Sequence, residues 1–577
     1  MRITTSKSKN SESFYINYAF IDKNGKSTSK TFKKLGTLAE LSEELNTDRD
    51  GVMTWAKEQA RIATEIYKKE NETISVPFAP NRTIDKNSQR SFNCGYLFLQ
   101  SIYSDLRFDN IFRNIKARHD YEYNLDSILS DLIYSRILKP SSKKSSYLFA
   151  QSLLEQPKYQ LHDLYRALSV LAQESDYIQS EVYRNSNFIH KRNTKVLYYD
   201  CTNYYFEIEQ EDGNKKYGKS KENRPNPIIG MGLFMDADGF PLAFDLHPGN
   251  QNEQMTLKPL EQKVIRDFDC SEFIYCSDSG LASKNNKLFN STNGRNFVIT
   301  QSLKKLKKED REIALNSTQY RKIGCNQFID LKSLDESDPE VYQSIYYKEI
   351  PLDSKIANET LIVTYSPKYK AYQAKIREGQ IERAIKMVEE KGKLKKTHRN
   401  PNDPARFITS IATTEYGEVA DKEYKTLNQE AIDKEAIYDG FYGVTTNLDC
   451  DIAEIIAINK RRWQIEECFR IMKTDFEARP IYLQREDRIK AHFLVCFLSL
   501  LIYRLLESKL ENEYTVESTL TALRDMNVCS IDGYGYIPTY KRTDLTDKLH
   551  DLFDFRTDTQ IIKKSKMRNI IQKTKER

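Results

Sequence analysis

The pattern of apolar and polar positions divides the chain into stretches of different character. Between Asn93 and Ile178, apolar residues recur at helical spacing in FLQSIYSDL, LDSILSDLIYSRIL and LYRALSVLAQ. Polar loops such as KPSSKKSS separate these runs, which predicts a helical bundle. At Thr194 the pattern changes: KVLYYDCTNYYFEI is rich in aromatic and β-branched residues and predicts a strand. Two further apolar runs, IIGMGLFM and PLAFDLH, flank the tight-turn sequence Asp236-Ala237-Asp238-Gly239 and predict an antiparallel hairpin. A helix over Leu257 to Phe268 follows, then strands in FIYCSD and FVITQSL.

Three strands, a helix and more strands is the order of an RNase H-like core. From Lys304 to about Ala436 the chain is lysine-rich, with strand-like SIYYKEI and TLIVTYS and a charged helix over Tyr369 to Lys393. This stretch predicts an insertion, after which the core returns at FYGVTT. A helix over Cys450 to Phe476 carries Ile455, Ile458, Ile465, Phe469, Met472 and Phe476 as one apolar stripe. The chain is helical from Gln484 and ends in a basic run. Before Asn93 lie strand-like runs and an amphipathic helix around Val52 to Lys68, closed by a loop near Pro77, Pro80 and Asn81.

These patterns predict an α/β protein, an RNase H-like core interrupted by a β-rich insertion, with helical N-terminal and C-terminal regions. The expected segments are a small module (1–84), a helical region (85–190), the first part of the core (191–303) and the insertion (304–437). The second part of the core (438–484) and a C-terminal helical region with a basic tail (485–577) complete the chain. A length of 577 residues accommodates roughly three or four compact units.

Composition adds limits rather than a function. Hydrophobic residues at 39% and charged residues at 30% exclude wholesale disorder and fibrous repeats. The net charge of +6 does not by itself point to nucleic acid. Basic runs occur at Lys304–Lys308, Lys391–Arg399 and Lys563–Arg577, but such a run on its own is most often a solvated face. The nine cysteines form no CxxC pair, as expected in a reducing compartment. The first residues lack an apolar signal core, and no run reaches the ~18 uninterrupted apolar residues of a membrane span. The longest, Phe493 to Tyr503, reads as a buried helix, and the expected location is the cytoplasm.

Asp200 and Asp278 are each expected at the end of a strand, where loops leave room for substrate and metal. A single aspartate there is usually a turn former or cap, and two in one sheet weaken that explanation. Glu466 shares a helical face with Arg462 and Lys473, a solvated ion-pair ladder or a carboxylate facing a cleft lined by phosphate-binding cations. The seven histidines show no metal-ligand spacing with Cys or Glu, and no Walker loop is present, so zinc chemistry and a nucleotide cofactor are not expected.

With these residues in view, the sequence resembles the DDE transposases of bacterial insertion sequences, specifically the large group known as insertion sequence four. The resemblance covers most of residues 90–500. That group's signature is Tyr, two residues, Arg, three residues, Glu, six residues, Lys; Arg462, Glu466 and Lys473 match it, and Asn459 stands at the Tyr position. Asp200 and Thr202 match the first Asp-x-Thr, and Ser277–Gly280 the second aspartate motif. GKSKENRP (Gly218–Pro225), GFPLAF, GNQNE (Gly249–Glu253) and RIKAH (Arg488–His492) are similar to further family elements. Arg224-Pro225-Asn226 departs from the family's Arg-Pro-Asp.

The resemblance implies that Asp200, Asp278 and Glu466, rather than Glu467, are catalytic and hold Mg²⁺, with Mn²⁺ able to substitute. Two such ions about 3.5 to 4 Å apart activate a nucleophile and neutralise phosphate charge. It implies that Arg462, Lys473, Lys219, Arg224 and the Asn459 position contact DNA, and that the enzyme cleaves the ends of its element and joins them to target DNA. The implied partners are double-stranded DNA, as terminal inverted repeats and target, with the repeats bound by the helical region at 85–190, and a second copy of the chain in a synaptic homodimer paired through residues 485–577. Two alternatives remain: a cleavage-inactive DNA-binding derivative and an RNase H-like nuclease.

Overall fold

The computed structural model describes residues 1–9, 11–21, 26–70, 73–389, 402–413 and 419–576. The basic run at Lys391–Arg399 therefore lies outside the described residues. Residues 1–88 and 89–577 form two compact units. In the first, β1 (Arg2–Lys7), β2 (Glu12–Ile21) and β3 (Ser27–Thr37) make an antiparallel sheet in that order. Helices Leu38–Glu44 and Arg49–Glu70 follow. Thr37 starts the first of them in a reciprocal cap with Glu40. On the second, Val52, Ala56 and Ala60 recur every four residues and form the buried face of the expected amphipathic helix.

The second unit is a mixed α/β structure organised on one large mixed sheet. Its strands, in chain order, begin with β4 (Ser91–Asn93), β5 (Val196–Tyr205), β6 (Ile228–Met235), β7 (Pro241–Pro248), β8 (Ile274–Ser277) and β9 (Asn296–Gln301). They continue with β10 (Tyr320–Lys322), β11 (Phe328–Ile329), β12 (Tyr346–Pro351), β13 (Thr360–Tyr365), β14 (Ile408–Thr413), β15 (Val419–Leu427) and β16 (Phe441–Thr446). The last three are β17 (Asn527–Ile531), β18 (Gly535–Pro538) and β19 (Ile562–Lys563).

The large sheet has ten strands in the order β11-β10-β12-β13-β16-β9-β8-β5-β6-β7. β6 and β7 form the expected hairpin, with Gly239 at φ 89° in its turn. β5 runs parallel to β8, and β8 parallel to β9, while the other pairings are antiparallel. All of β6 is buried because helices cover both faces of this part of the sheet. The strands at 320–365 extend the same sheet through β13 and β16 instead of standing apart from it. Within the stretch read as an insertion, a separate pair, β14 and β15, sits with helices Pro367–Glu389 and Gln429–Ala436 over a small core of Ala384, Phe407, Ile408 and Ile432.

Helix Glu486–Lys509 is buried almost all round and packs against Leu161–Gln173, Leu125–Leu138, Tyr96–Asp105 and β7. Its length and mean hydropathy of 1.8 would suit a membrane span, yet 89% of its most apolar window is buried inside the protein. The reading of Phe493–Tyr503 as a buried helix holds, and this surface is spent on the chain's own core.

The expectation of a helical C-terminal region needs correction. β17, β18 and β19 form a four-stranded sheet with β4, which ties the end of the chain to its helical N-terminal part. Asn93 reinforces the join by donating from Nδ2 to the Leu523 carbonyl. Nor is the basic end a free tail: Lys564–Lys573 is a helix with Met567 and Ile570 buried, and Thr574 Oγ1 donates to Gln100 Oε1 at 2.8 Å. The apolar residues between its lysines provide the docking that charge counting missed.

Candidate active site

The site is built at the rim where β5 outruns its parallel neighbour. β8 pairs with β5 only through Val196–Tyr198, and Asp200 follows just beyond. β5 does not end at Asp200, as the strand-end reading expected; it continues to Tyr205, paired with β6, where Asp200 faces Leu233. Side chains alternate along β5, so Leu197, Tyr199 and Cys201 enter one core while Asp200 projects the other way. Asp278 does follow its strand directly. It caps the next turn, accepting from the Gly280 N–H at 2.9 Å through Oδ1.

Glu466 comes from helix Trp463–Arg470, which continues Ile452–Arg461 after an irregularity at Arg462 and ends in a wide turn over Ile471–Asp475. All six stripe residues are buried, Ile465, Met472 and Phe476 fully, which fixes the rotation of the helix and leaves Glu466 exposed. Arg462 bonds Glu466 at 3.0 Å. The adjacent Glu467 is taken by Arg470 through two hydrogen bonds, of 2.9 and 2.7 Å.

Arg462 pairs with one of the three acids and feels the charge of the other two. Burial works against its charge, but Glu466, Tyr442, Asp200 and Asp278 favour it, and the balance raises its pKa. Burial pushes the Asp200 carboxyl up to about 6; Asp278 adds to this, whereas Lys221 and Arg462 oppose it. Lys221 keeps its charge because Asp200 and Glu253 outweigh its burial. Lys473, also buried, is lowered to about 8 by desolvation and by Lys221, with Asp200 pulling the other way.

The three acids do not close into a single cluster. Among the described residues, the group of three ligating side chains whose atoms lie within 4.8 Å of one another is Asp547, His550 and Asp558, near the C-terminus. Its two acids are already engaged, while His550 Nδ1 is buried without a hydrogen-bond partner among the described residues. Arg556 bonds Asp547 and Asp558 at 2.8 and 2.7 Å, and the Thr557 N–H donates to His550 Nε2, leaving the proton of a neutral ring on Nδ1.

Lys219 and Arg224 lie on the exposed side of the loop before β6. Asn203 ties this loop to β5, donating to the Lys219 carbonyl and accepting from the Lys221 N–H, both at 3.1 Å. Lys221, itself still exposed, reaches back from this loop to β5, where its Nζ donates to the Cys201 carbonyl and pairs with Glu253 at 3.4 Å. Arg224 stacks 4.7 Å above the Tyr205 ring. Lys473 pairs with Glu222 at 3.4 Å, not with Glu466. Asn459 is engaged inside the protein: its Nδ2 donates to Tyr442 Oη and its Oδ1 accepts from Thr300 Oγ1, each at 3.2 Å.

Sequence reasoning therefore missed Lys221, Glu253, Glu222 and Tyr442. GKSKENRP and GNQNE were visible as motifs, but which of three cations reaches back to β5 depends on Asn203, eighteen residues away along the chain. Tyr442 stands in FYGVTT without a spacing signal, yet it brings a phenol to Asn459, the position where the family signature has its tyrosine.

Residues 191–502 match the model of the transposase DDE domain, and these contain all three acids, Arg462, Lys221 and Lys473. The chain belongs to this family, and the protein is a DDE transposase. No curated protein matches the chain significantly. Six chains of solved structures do. Among them is a piggyBac transposase synaptic complex with hairpin DNA, solved by cryo-electron microscopy, at 10% identity and a TM-score of 0.33, covering 83% of this chain and 84% of that one. The family assignment rests on the sequence match.

Proposed function

We propose that this chain is the transposase of a bacterial insertion sequence of the insertion sequence four group, which cuts DNA at the element's ends and joins the 3′-hydroxyls to target DNA. The observation that carries this reading is the match of residues 191–502 to the transposase DDE domain, within which Asp200 stands on β5, Asp278 directly follows the neighbouring strand β8, and Glu466 stands on an exposed helix face. The strand order β9-β8-β5-β6-β7, with its hairpin and parallel neighbours, supports an RNase H-like core. Two copies would hold two element ends, in the bacterial cytoplasm and on the nucleoid when DNA is bound.

The donor set fits a hard divalent cation such as Mg²⁺ or Mn²⁺. Burial works against the Asp200 carboxylate and the charge of Asp278 adds to that cost, and among the described residues no cation lies at ion-pair distance from Asp200. Asp278 commits one oxygen to its cap, while the second is not drawn into that bond. Asp200, Asp278 and Glu466 would hold the metal, which supplies activation of the attacking oxygen and charge neutralisation at phosphorus. Arg462 orients Glu466 and screens it from the two aspartates. Lys221 and Lys473, beside Asp200, receive the phosphate at the cut, with Lys219 and Arg224 on the outer approach. Transesterification conserves the phosphodiester bond, so these residues need no nucleotide cofactor.

The test is strand cleavage by the purified protein on a duplex carrying the DNA that flanks its gene, with Mg²⁺ or Mn²⁺, for wild type and Glu466→Ala. Metal-dependent nicking lost in the variant is the expected result. End binding by wild type without nicking would overturn the cleaving enzyme in favour of a DNA-binding derivative, and preferential cutting of an RNA strand would favour a nuclease.

A further inference from the structure

A cavity of about 170 Å³ opens between the helical region and the segment that follows the Glu466 helix. Arg136, Ser141, Lys143, Arg479 and His492 are among its walls. Three features set it apart from an ordinary surface hollow.

First, it holds buried nitrogen donors without a partner, and burial beside Arg136 lowers the Lys143 amine to about 7. Lys143 is 4% exposed, and its Nζ has no hydrogen-bond partner. Arg136 is 3% exposed; its two terminal nitrogens donate to the Phe476 and Ser141 carbonyls, leaving Nε unused. The Ser141 hydroxyl is also buried and unpartnered. A buried polar group without a partner is costly, and a buried charge more so. Acid on the walls does not balance this, since Glu477 is exposed to solvent.

Second, the backbone favours an anion here. Ser142 caps helix Lys143–Ala150, so Lys143 is its first residue and the positive end of the helix lies at the cavity wall. Third, the cavity is linked to the acid site. Arg479 pairs with Glu222, and Glu222 with Lys473, which feels Asp200.

We propose that this cavity is a phosphate-binding site, in which Lys143 Nζ, Ser141 Oγ and Arg136 Nε donate to the oxygens of one tetrahedral anion. Donors arriving from two helices and a loop suit a group with oxygens in several directions better than a planar carboxylate. The same chemistry is offered by a backbone phosphate of DNA and by free inorganic phosphate. The Arg479–Glu222–Lys473 chain would transmit occupancy toward the candidate active site.

The experiment is calorimetric titration of inorganic phosphate into the full-length protein at constant ionic strength, comparing wild type with Lys143→Met and Ser141→Ala. Saturable one-site binding that is weakened at least ~10-fold in Lys143→Met, and less in Ser141→Ala, is expected. Lys143→Met keeps the length of the side chain without its buried amine, and far-UV circular dichroism checks that it folds. No saturable binding by wild type, or equal binding by both variants, would overturn the proposal. Duplex DNA titrated into the same proteins then identifies the source. A parallel loss of DNA affinity in Lys143→Met assigns the site to a DNA phosphate, and unchanged DNA affinity assigns it to the free anion. Neither arm requires cleavage, so failure here is distinct from failure of the transposase reading.

Discussion

Charge is arranged in opposite ways in two neighbouring parts of this molecule. At the rim of β5 and β8 the signs are mixed: Arg462 pairs with Glu466 and feels Asp200 and Asp278, while Lys221 pairs with Glu253 and Lys473 with Glu222. In the cavity beneath Ser142 the charge has one sign, and Lys143 and Arg136 face no buried acid. A mixed cluster is roughly balanced as it stands, and a metal and a phosphate can enter together without upsetting it. A one-sign cavity is balanced only by an anion. The two regions thus differ in what they lack, and Glu222, shared between Lys473 and Arg479, is where one set of charges meets the other.

Substitutions can break this contrast, beginning with the largest expected effect. Replacing Asp200, Asp278 or Glu466 with Ala should reduce strand cleavage by about 10³-fold or more while leaving the fold and end binding intact. Single-turnover cleavage and a gel-shift assay read these separately, and an active variant would remove that residue from the site.

Lys221→Ala should slow cleavage by about 10²-fold, as for loss of one electrostatic donor. Lys219→Ala and Arg224→Ala, on the exposed side of the same loop, should cost only a few-fold, mainly in DNA affinity and its salt dependence. Equal effects at all three would show that the reach of Lys221 back to β5 has no functional consequence.

Glu261 tests buried charge with no site attached. It is fully buried on helix Leu257–Asp267, accepts from Asn290 at 3.1 Å, and is pushed up to about 8 by desolvation. Its folded pKa is raised above the unfolded value, so its contribution to stability is present below the ordinary glutamate range and is lost as pH rises through about 8. Glu261→Gln should therefore gain on the order of 1–3 kcal/mol at pH 8 and nothing below pH ~4. Thermal melts across that range give the answer, and a pH-independent difference would place the ionisation elsewhere.

The smallest effect is expected at Asn459. Losing its bonds to Tyr442 and Thr300 in Asn459→Ala should cost about 1–2 kcal/mol of stability. If Tyr442 supplies the phenol at this position, Tyr442→Phe should lower cleavage several-fold with little change in melting temperature. A variant that only melts lower would reduce Tyr442 to a packing role.

Much of this was legible along the chain. The helical runs between Asn93 and Ile178, the hairpin around Asp236–Gly239 and the apolar stripe from Ile455 to Phe476 follow from local periodicity, which burial enforces in the same register. The stripe also predicted which side of its helix Glu466 would leave open. The C-terminal strands were less visible, because β17 to β19 are short and are stabilised by pairing with β4, more than 400 residues earlier.

Sequence by itself determined the family, the order of the elements and the identity of three acids with an Arg-Glu-Lys spacing, because these are properties of local pattern and motif. Tertiary structure alone decided that Arg462 pairs with Glu466, that Lys221 reaches back to the Cys201 carbonyl and Glu253, and that Asn459 is held by Tyr442 and Thr300. It also decided that Lys143, unremarkable in a polar loop sequence, is a buried amine without a hydrogen-bond partner. The physical reason is common to these cases: charge is governed by distance and burial, and both are set by residues far apart in the chain.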